Sequence, residues 1–255
     1  VSTIDLNADL GEECADDEAL LEVVTSANVA AGGHAGGGAV LARTVHAAAE
    51  AGVAVGAHPS YVDRSGFGRT SHLSRMDQST LTSVLHEQID AVLVVCASEG
   101  VALAHVKAHG ALYHDANGHQ HAAEALLDAV DHVAQRVGHP VPVVGPPTGM
   151  VKRLSTHRGL PYVAEAFADR AYRPDGTLVP RGERGALVAD PEEAALQAIS
   201  VARHGLVTTT DGQRVEMRAE TICLHGDTPG SVDLARRVRA SLEADGIDVA
   251  SIRWT

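Results

Sequence analysis

Short apolar runs alternate with amphipathic runs along most of this chain, and that alternation limits the folds open to it. The runs "STIDLNADLG", "SANVAAGG", "VAVGAHP", "VALAHVKAHG", "PVPVVGPP", "LPYVAEAFADR" and "TICLHGD" each read as a strand, and "IDVASIRW" is placed to close the sheet. Between them lie helical patterns. Val40, Leu41, Thr44, Val45 and Ala48 share one helix face that stops at Gly52. Leu81, Val84, Leu85, Ile89, Val92, Leu93 and Cys96 mark a long helix. Others run through Leu126 to Val137, residues 192–203 and Leu234 to Leu242, with a short one after the fifth strand. Strands separated by helices must run parallel. Seven or eight such units predict a single-domain (β/α) barrel over residues 1–255, and incomplete closure stays open. A doubly wound open sheet is the alternative. The length of 255 residues suits a barrel, which needs ~250.

Two regions fall outside the alternation. Residues 171–186, rich in Arg, Pro and Gly, predict a long loop. "GLVTTTDGQRVEM" predicts a hairpin turning at Asp211-Gly212. Aromatic residues make up only 3% of the chain, so the core must be built from Ala, Val, Leu and Ile. The formal charge of -13 argues against a nucleic-acid partner, because phosphate neutralisation needs clustered cations. Cys14, Cys96 and Cys223 are widely spaced, with no CxxC pair, as in a reducing compartment. No apolar run approaches the ~20 residues of a membrane span. The first residues lack the basic and apolar regions of a signal peptide. The expectation is a cytoplasmic protein without a membrane partner.

The polar residues are informative by position. The first strand runs into Asn7, Asp9 and Glu12; the second carries Asn28 and runs into His34. The third ends at His58, the fourth at Lys107 and His109, the sixth at Glu165, Asp169 and Arg170, the seventh at His225 and Asp227. Parallel strands put their C-terminal ends on one face, where the active sites of such folds lie. Each residue also has a bland reading. A lone His near a strand end is more often structural; Asp9 or Glu12 can charge a helix start; Asp169 and Arg170 can pair at the surface; Arg181 in "VPRG" reads as a loop cation. The case is joint: four histidines, each after a strand and beside Gly or Pro, are accompanied by acids and by Lys107. Only Lys107 and Lys152 among the 20 basic residues are lysines.

In "NVAAGGHAGGG", Gly32 and Gly33 allow close backbone approach to a ligand, and Gly36 to Gly38 open a helix whose free N–H groups favour an anion. The bland reading is a flexible turn. P-loop, GxGxxG and GxSxG patterns are missing. Cys14 sits among acids, which raises a thiol pKa and disfavours a nucleophile. Asp9, His34 and His58 are donors suited to zinc or a similar ion that activates water.

The segments "DLNADLGE", "SANVAAGGHAG", "GAHPSYVDRSGFGR", "HVKAHGALY", "EAFADRAY", "LVPRG" and "CLHGDTPGSV" together resemble the LamB/YcsF family, from about residue 5 to residue 232. The resemblance implies a barrel related to those of polysaccharide deacetylases. It implies ATP-dependent opening of 5-oxoproline to glutamate, with Mg2+ accompanying the ATP and with partner subunits B and C. It maps the family's polar positions onto Asn7, Asp9, Glu12, Asn28, His34, His58, Lys107, His109, Glu165, Asp169, Arg170, Arg181, His225 and Asp227. Ala31, Gly33, Gly37 and Ala108 depart from its usual Cys, bulky residue, Asp and Pro. Loss of an Asp that only capped a helix costs about 1 kcal/mol.

A lactam resists water because of amide resonance, and phosphorylating its oxygen removes that resistance. Lys107 and the Gly32-to-Gly38 amides are the sequence's candidates for phosphate or oxyanion contacts. Asp9 or Glu12 would activate water, and His58, His109 or His225 would protonate the leaving nitrogen. Two other readings are a metal-dependent amidase or deacetylase that ignores ATP, and a non-catalytic chain that holds substrate for its partners.

Overall fold

The structure, a computed structural model, describes residues 3–227 and 230–252. Seven parallel strands close into a barrel: β1 (Thr3–Leu10), β2 (Ser26–Ala30), β3 (Ala54–His58), β4 (Leu103–Lys107), β5 (Val143–Gly145), β6 (Tyr162–Phe167) and β9 (Thr221–Leu224). Closure is made by β9 lying between β6 and β1, with Asp5 opposite Thr221 and Asn7 opposite Cys223. The final run does not close the sheet. Its strand β10 (Asp248–Val249) pairs only with Thr3 and Ile4 at the start of β1, and its Arg253-Trp254 end lies outside the described residues. Between β6 and β9 come β7 (Leu206–Thr208) and β8 (Arg214–Glu216), an antiparallel hairpin whose turn places Gly212 at φ 82°. The Asp211-Gly212 turn is therefore where the sequence put it.

Helices cover the barrel: α1 (Asp17–Leu21), α2 (Gly38–Glu50), α3 (Gln78–Ser98), α4 (Gly110–Gly118), α5 (Gln120–Val137), α6 (Met150–Arg158), α7 (Pro191–His204) and α8 (Ser231–Ala244). Their starts and stops follow from side-chain chemistry. The Asp77 carboxylate accepts from the Thr80 amide and starts α3, and Asp190 accepts from Glu192 and Glu193 ahead of Pro191 in α7. Gly138, Gly159 and Gly205 take the left-handed conformation that ends α5, α6 and α7. The buried faces match the periodicities: Leu41, Thr44, Val45 and Ala48 on α2, and Leu234, Ala235, Val238 and Leu242 on α8. By length and mean hydropathy α3 is apolar enough to cross a bilayer, as core helices can be, although its polar residues, Glu87 and Asp90 among them, leave no apolar run of that length. Here Leu81, Leu85, Ile89, Val92 and Cys96 are buried, and the helix packs on β3, β4 and α5. Helix α4 is not legible in the sequence; its nine residues are too few to establish a period.

The barrel interior is unusual. Barrels of this kind are normally filled by branched aliphatic side chains in layers. Here the inward positions of β1 are Asp5, Asn7 and Asp9, all buried. They meet Ser26 and Asn28 of β2, Lys107 of β4, Glu165 of β6 and Thr221 of β9, and His105 of β4 reaches Asn28. The aliphatic core lies instead between the barrel and its helices, where Leu6, Leu10, Val29, Val45, Leu85 and Ile89 are buried. That division predicts mutational cost. Ile89→Ala should lower the unfolding free energy by about 2–5 kcal/mol in urea titration. Val94→Ala, on the exposed side of the same helix, should change it by less than about 0.5 kcal/mol.

Candidate functional site

The register of the barrel lifts the polar column to one rim. Asp9 lies opposite Asn28, and Ala30 opposite His58, so the ends of β1, β2 and β3 are stepped together. Asn28 Nδ2 donates to Asn7 Oδ1 at 2.7 Å and to Asp9 Oδ1 at 2.9 Å. Its carbonyl is 2.6 Å from His105 Nε2, which therefore carries the proton. Lys107 stands at the centre. Its Nζ donates to Glu165 Oε1 (2.7 Å), Cys223 Sγ (3.0 Å), Asp9 Oδ1 and Asn7 Oδ1 (3.2 Å each). Burial alone would discharge this lysine; Asp9 and Glu165 outweigh it and hold the ammonium well above its usual pKa. Burial likewise pushes Asp9 up, but His58 and Lys107 hold it well below the usual carboxylate range.

A second group forms above Asp9. His58 Nδ1 donates to the Lys107 carbonyl at 2.8 Å, and His109 Nε2 donates to the Phe67 carbonyl at 3.0 Å. These bonds settle the tautomers. They leave His58 Nε2 and His109 Nδ1 facing each other at 3.0 Å, with Asp9 Oδ2 3.3 Å from His58 Nε2, a spacing that calls for a proton or a metal cation between them. Glu12 Oε1 lies 2.9 Å from His34 Nε2, 3.2 Å from His109 Nδ1 and 4.0 Å from His58 Nε2. His34 stacks on His109 with ring centroids 3.6 Å apart. Burial pushes His34 down to about 3 and His109 down to about 2, so both rings are neutral donors near pH 7. Burial and the nearby Asp9 push Glu12 up to about 7. A proton on His58 Nε2, shared with Asp9, or a metal cation relieves the repulsion between these nitrogens. One carboxylate and three imidazoles, all donor atoms within 4.8 Å of each other, are a fitting set for a divalent ion. The expected Asp9 is not in this set; Glu12 and His109 complete it. Asp9, Cys223 and His225 form another such group, but there the Lys107 ammonium already supplies the positive charge.

Across the opening, Asp169 accepts the His225 amide at 3.0 Å and the His225 Nδ1 proton at 2.8 Å. This fixes Nε2 of His225 as the nitrogen free to exchange a proton. Burial would raise Asp169, yet the His225 imidazole and its hydrogen bonds keep it below its ordinary value. The Phe167 ring lies parallel to His225 with centroids 5.4 Å apart. Arg181 pairs with Asp227 through both terminal guanidinium nitrogens, and Arg69 joins the same carboxylate at 2.6 Å. Arg181 is thus more than a loop cation. Arg170 is buried and donates only to the carbonyls of Ala186 and Val179; among the described residues no carboxylate pairs with it.

One cavity of about 360 Å3 joins these groups. Asp9, Glu12, His58, Lys107, His109, Arg170, Arg181, His225 and Asp227 line it. Asn7, Asn28 and Glu165 stand beneath as supports, and Asp169 behind His225. The glycines do something different from the expected phosphate contact. The Gly32 amide donates to the Ala35 carbonyl, and Gly36 pairs back to Ala31. A Cβ on Gly33 would collide with Gln88 and Ser60, and one on Gly36 with the Gly11 carbonyl. The loop is a packed turn that presents His34, and its amides do not face the cavity.

Several site residues lie outside the sequence reading. His105 shares a strand face with Lys107 and His109, and Asp5 with Asn7 and Asp9; alternation on those strands is the available signal. Phe67, Arg69 and Tyr113 line the cavity from loop and helix positions that no periodicity marks. Phe67 has φ 54°, a strained value for a bulky residue, at the point where its carbonyl holds His109. Cys14 is no nucleophile here, since burial and then Glu12 push its thiol up to about 11.

A parallel barrel with a carboxylate–imidazole cluster and a His–Asp pair at the strand ends defines a hydrolase-type barrel. The chain belongs to the LamB/YcsF family, whose model matches residues 4–255. It is 47% identical to the 5-oxoprolinase A subunit of Streptomyces avermitilis over 97% of this chain and 99% of that protein. It resembles a lactam utilization protein of Thermus thermophilus (TM-score 0.90, 36% identity, covering 98% of this chain and 100% of that one). The catalytic domain of a peptidoglycan N-acetylglucosamine deacetylase from Eubacterium rectale shares the fold alone (TM-score 0.52, 12% identity, covering 99% of this chain and 89% of that one).

The role of Lys107 is testable by stability. Lys107→Met leaves Asp9 and Glu165 buried without their counter-ion, and should cost about 3–5 kcal/mol in chemical denaturation. The loss should shrink on acidification, because protonation discharges the two carboxyls.

Proposed function

We propose that this chain is the A component of an ATP-dependent 5-oxoprolinase, opening the five-membered lactam to L-glutamate together with subunits B and C. The observation that carries this reading is likeness, along nearly the full length of both chains, to a protein of that name. The site geometry is consistent with it. Substrate sits in the cavity below Phe167, with its carboxylate on Arg170, the buried cation that lacks an acidic partner among the described residues. Phosphoryl transfer from Mg-ATP to the lactam oxygen removes amide resonance and leaves the ring carbon open to water. Lys107 supplies the fixed positive charge beside the oxygen that gains negative charge. Asp9, held ionised by Lys107 and His58, orients the attacking water through its free lone pairs. His225 Nε2, with Asp169 fixing the other ring nitrogen, gives a proton to the departing ring nitrogen as the C–N bond breaks, and a second water hydrolyses the resulting γ-glutamyl phosphate to L-glutamate and inorganic phosphate. Glu12, His34, His58 and His109 would hold a divalent ion, which when bound polarises an oxygen ligand or lowers the pKa of water.

That cluster, and the deacetylase-type fold, favour a second reading: an amidase that uses a metal and ignores ATP. A coupled assay with 5-oxoproline, with and without subunits B and C, scores glutamate and ADP together. Stoichiometric ADP and glutamate are expected. Glutamate formed without ATP by the chain alone would replace the first reading with the second; substrate binding without turnover under any condition would leave a chain that only holds substrate. Asp9→Asn and Lys107→Ala should each reduce turnover by ~10²–10⁴-fold. His225→Asn should do the same, and dialysis against a chelator should cost activity that added divalent metal restores. Near-normal turnover in all three variants would retire this assignment of roles.

A further inference from the structure

Glu12, His34, His58 and His109 do not stand alike toward an ion. A metal–nitrogen bond of ~2.0–2.1 Å lies in the plane of the imidazole, along the nitrogen lone pair. The His34 and His109 rings are stacked, 3° from parallel, with centroids 3.6 Å apart. Stacked rings keep van der Waals separation, ~3.5 Å. An ion in the His109 plane therefore stands more than a bond length off the His34 plane, and the two rings cannot share it. His58 is placed differently. Its ring is 86° from that of His109, so the two planes cross, and its Nε2 lies 3.0 Å from His109 Nδ1. Glu12 Oε1 is 3.2 Å from His109 Nδ1 and 4.0 Å from His58 Nε2. Ligands at that bond length in a tetrahedron are ~3.4 Å apart, and the three separations bracket this value.

The outer nitrogens divide the rings in the same way. A metal-bound histidine gives its other ring N–H to an acceptor. The Lys107 carbonyl serves His58 Nδ1, and the Phe67 carbonyl serves His109 Nε2. His34 Nδ1 is closed off from solvent and has no hydrogen-bond partner among the described residues. Were His34 Nε2 bound to a metal, the proton would move to Nδ1 and be buried without an acceptor. With the proton on Nε2, the ring donates to Glu12 Oε1 at 2.9 Å. A doubly protonated ring would make the same bond and have no lone pair to offer. Exposure agrees: Glu12, His58 and His109 line the reaction cavity, and His34 does not.

We infer that Glu12, His58 and His109 form a three-ligand site for Zn2+ or a similar first-row divalent ion, open toward the reaction cavity, and that His34 is a positioning residue that holds Glu12 through its Nε2 proton. Structural zinc sites use four protein ligands; three leave a position for an oxygen from the cavity, as in catalytic sites. A metal on His58 Nε2 takes the place of the proton that this nitrogen can share with Asp9. The division of roles holds with or without ATP in the reaction, since it concerns what the chain binds before substrate arrives.

Titration of the full chain with Cu2+, whose paramagnetism reports its ligands, tests this. One equivalent should bind where Zn2+ competes for it, and pulsed electron paramagnetic resonance should count two coordinated imidazoles. The count should stay at two in His34→Gln, which keeps an N–H donor, and in His34→Phe, which keeps only the stacked ring. It should fall below two in His58→Ala and in His109→Ala. Zn2+ affinity should drop about 10–100-fold in His34→Phe and less in His34→Gln, the partial rescue expected of a donor to Glu12. Three imidazoles in the wild-type chain, a lower count in either His34 variant, unchanged Zn2+ affinity in His34→Phe, or no Zn2+-competed binding at ~1 mM metal would overturn the inference. The wild-type count decides the ligand set even where a variant fails to fold. An active 5-oxoprolinase with any of those results overturns this inference alone. Two imidazoles counted on a chain that opens no lactam with its partners overturn the proposed reaction alone.

Discussion

The structure depends on one buried ammonium. Lys107 sits inside the barrel and donates to Asp9, Glu165, Asn7 and Cys223. A barrel interior holding Asp and Glu is destabilised without it, because desolvated carboxylates repel and an unpaired one costs several kcal/mol. The ammonium also sets the charge state of its neighbours. Asp9 stays ionised beside it, and His58, whose Nδ1 is held by the carbonyl of Lys107 itself, turns Nε2 toward that carboxylate. Stability and site chemistry are therefore one network and cannot be altered independently.

The network extends upward by fixing imidazole tautomers. Backbone carbonyls of Lys107 and Phe67 take one proton from each of two rings, so that His58 turns Nε2 to Asp9 and His109, and His109 turns Nδ1 to Glu12. Close approach is possible because the loop over them is thin. A Cβ on Gly68 would sit 2.9 Å from both the His109 ring and His34. Neighbouring Phe67 accepts a strained backbone at that point and covers the stacked rings of His34 and His109. Gly56 on β3 works in the same way lower down, where a Cβ would run into the His105 ring.

Much of this is legible from residue order. Parallel strands end on a common face, so Asp9, Glu12, His58, Lys107, His109, His225 and Asp227 can be gathered without coordinates. His105 and Asp5 are within reach too, since they alternate with other residues of the same face. What alternation cannot supply is partnership. Arg181 reads as a loop cation because its partner Asp227 lies 46 residues away. Gly32, Gly33 and Gly36 read as an anion cradle because composition does not show which way a turn's amides point. The expected metal donors differ from the cluster found by exchange of Asp9 for Glu12 and addition of His109: Asp9 and Glu12 are close neighbours in the chain, and only Lys107 explains why the first is occupied elsewhere.

The sequence by itself determined the barrel, the rim that carries chemistry, and the residue types available there, because strand direction and side-chain alternation are local properties of the chain. Tertiary structure alone decided closure by β9 in place of β10, which acids share which cation, and the partners of the site histidines. Those are settled by distances between residues far apart in the chain, and by which groups lose water together, which no local pattern encodes.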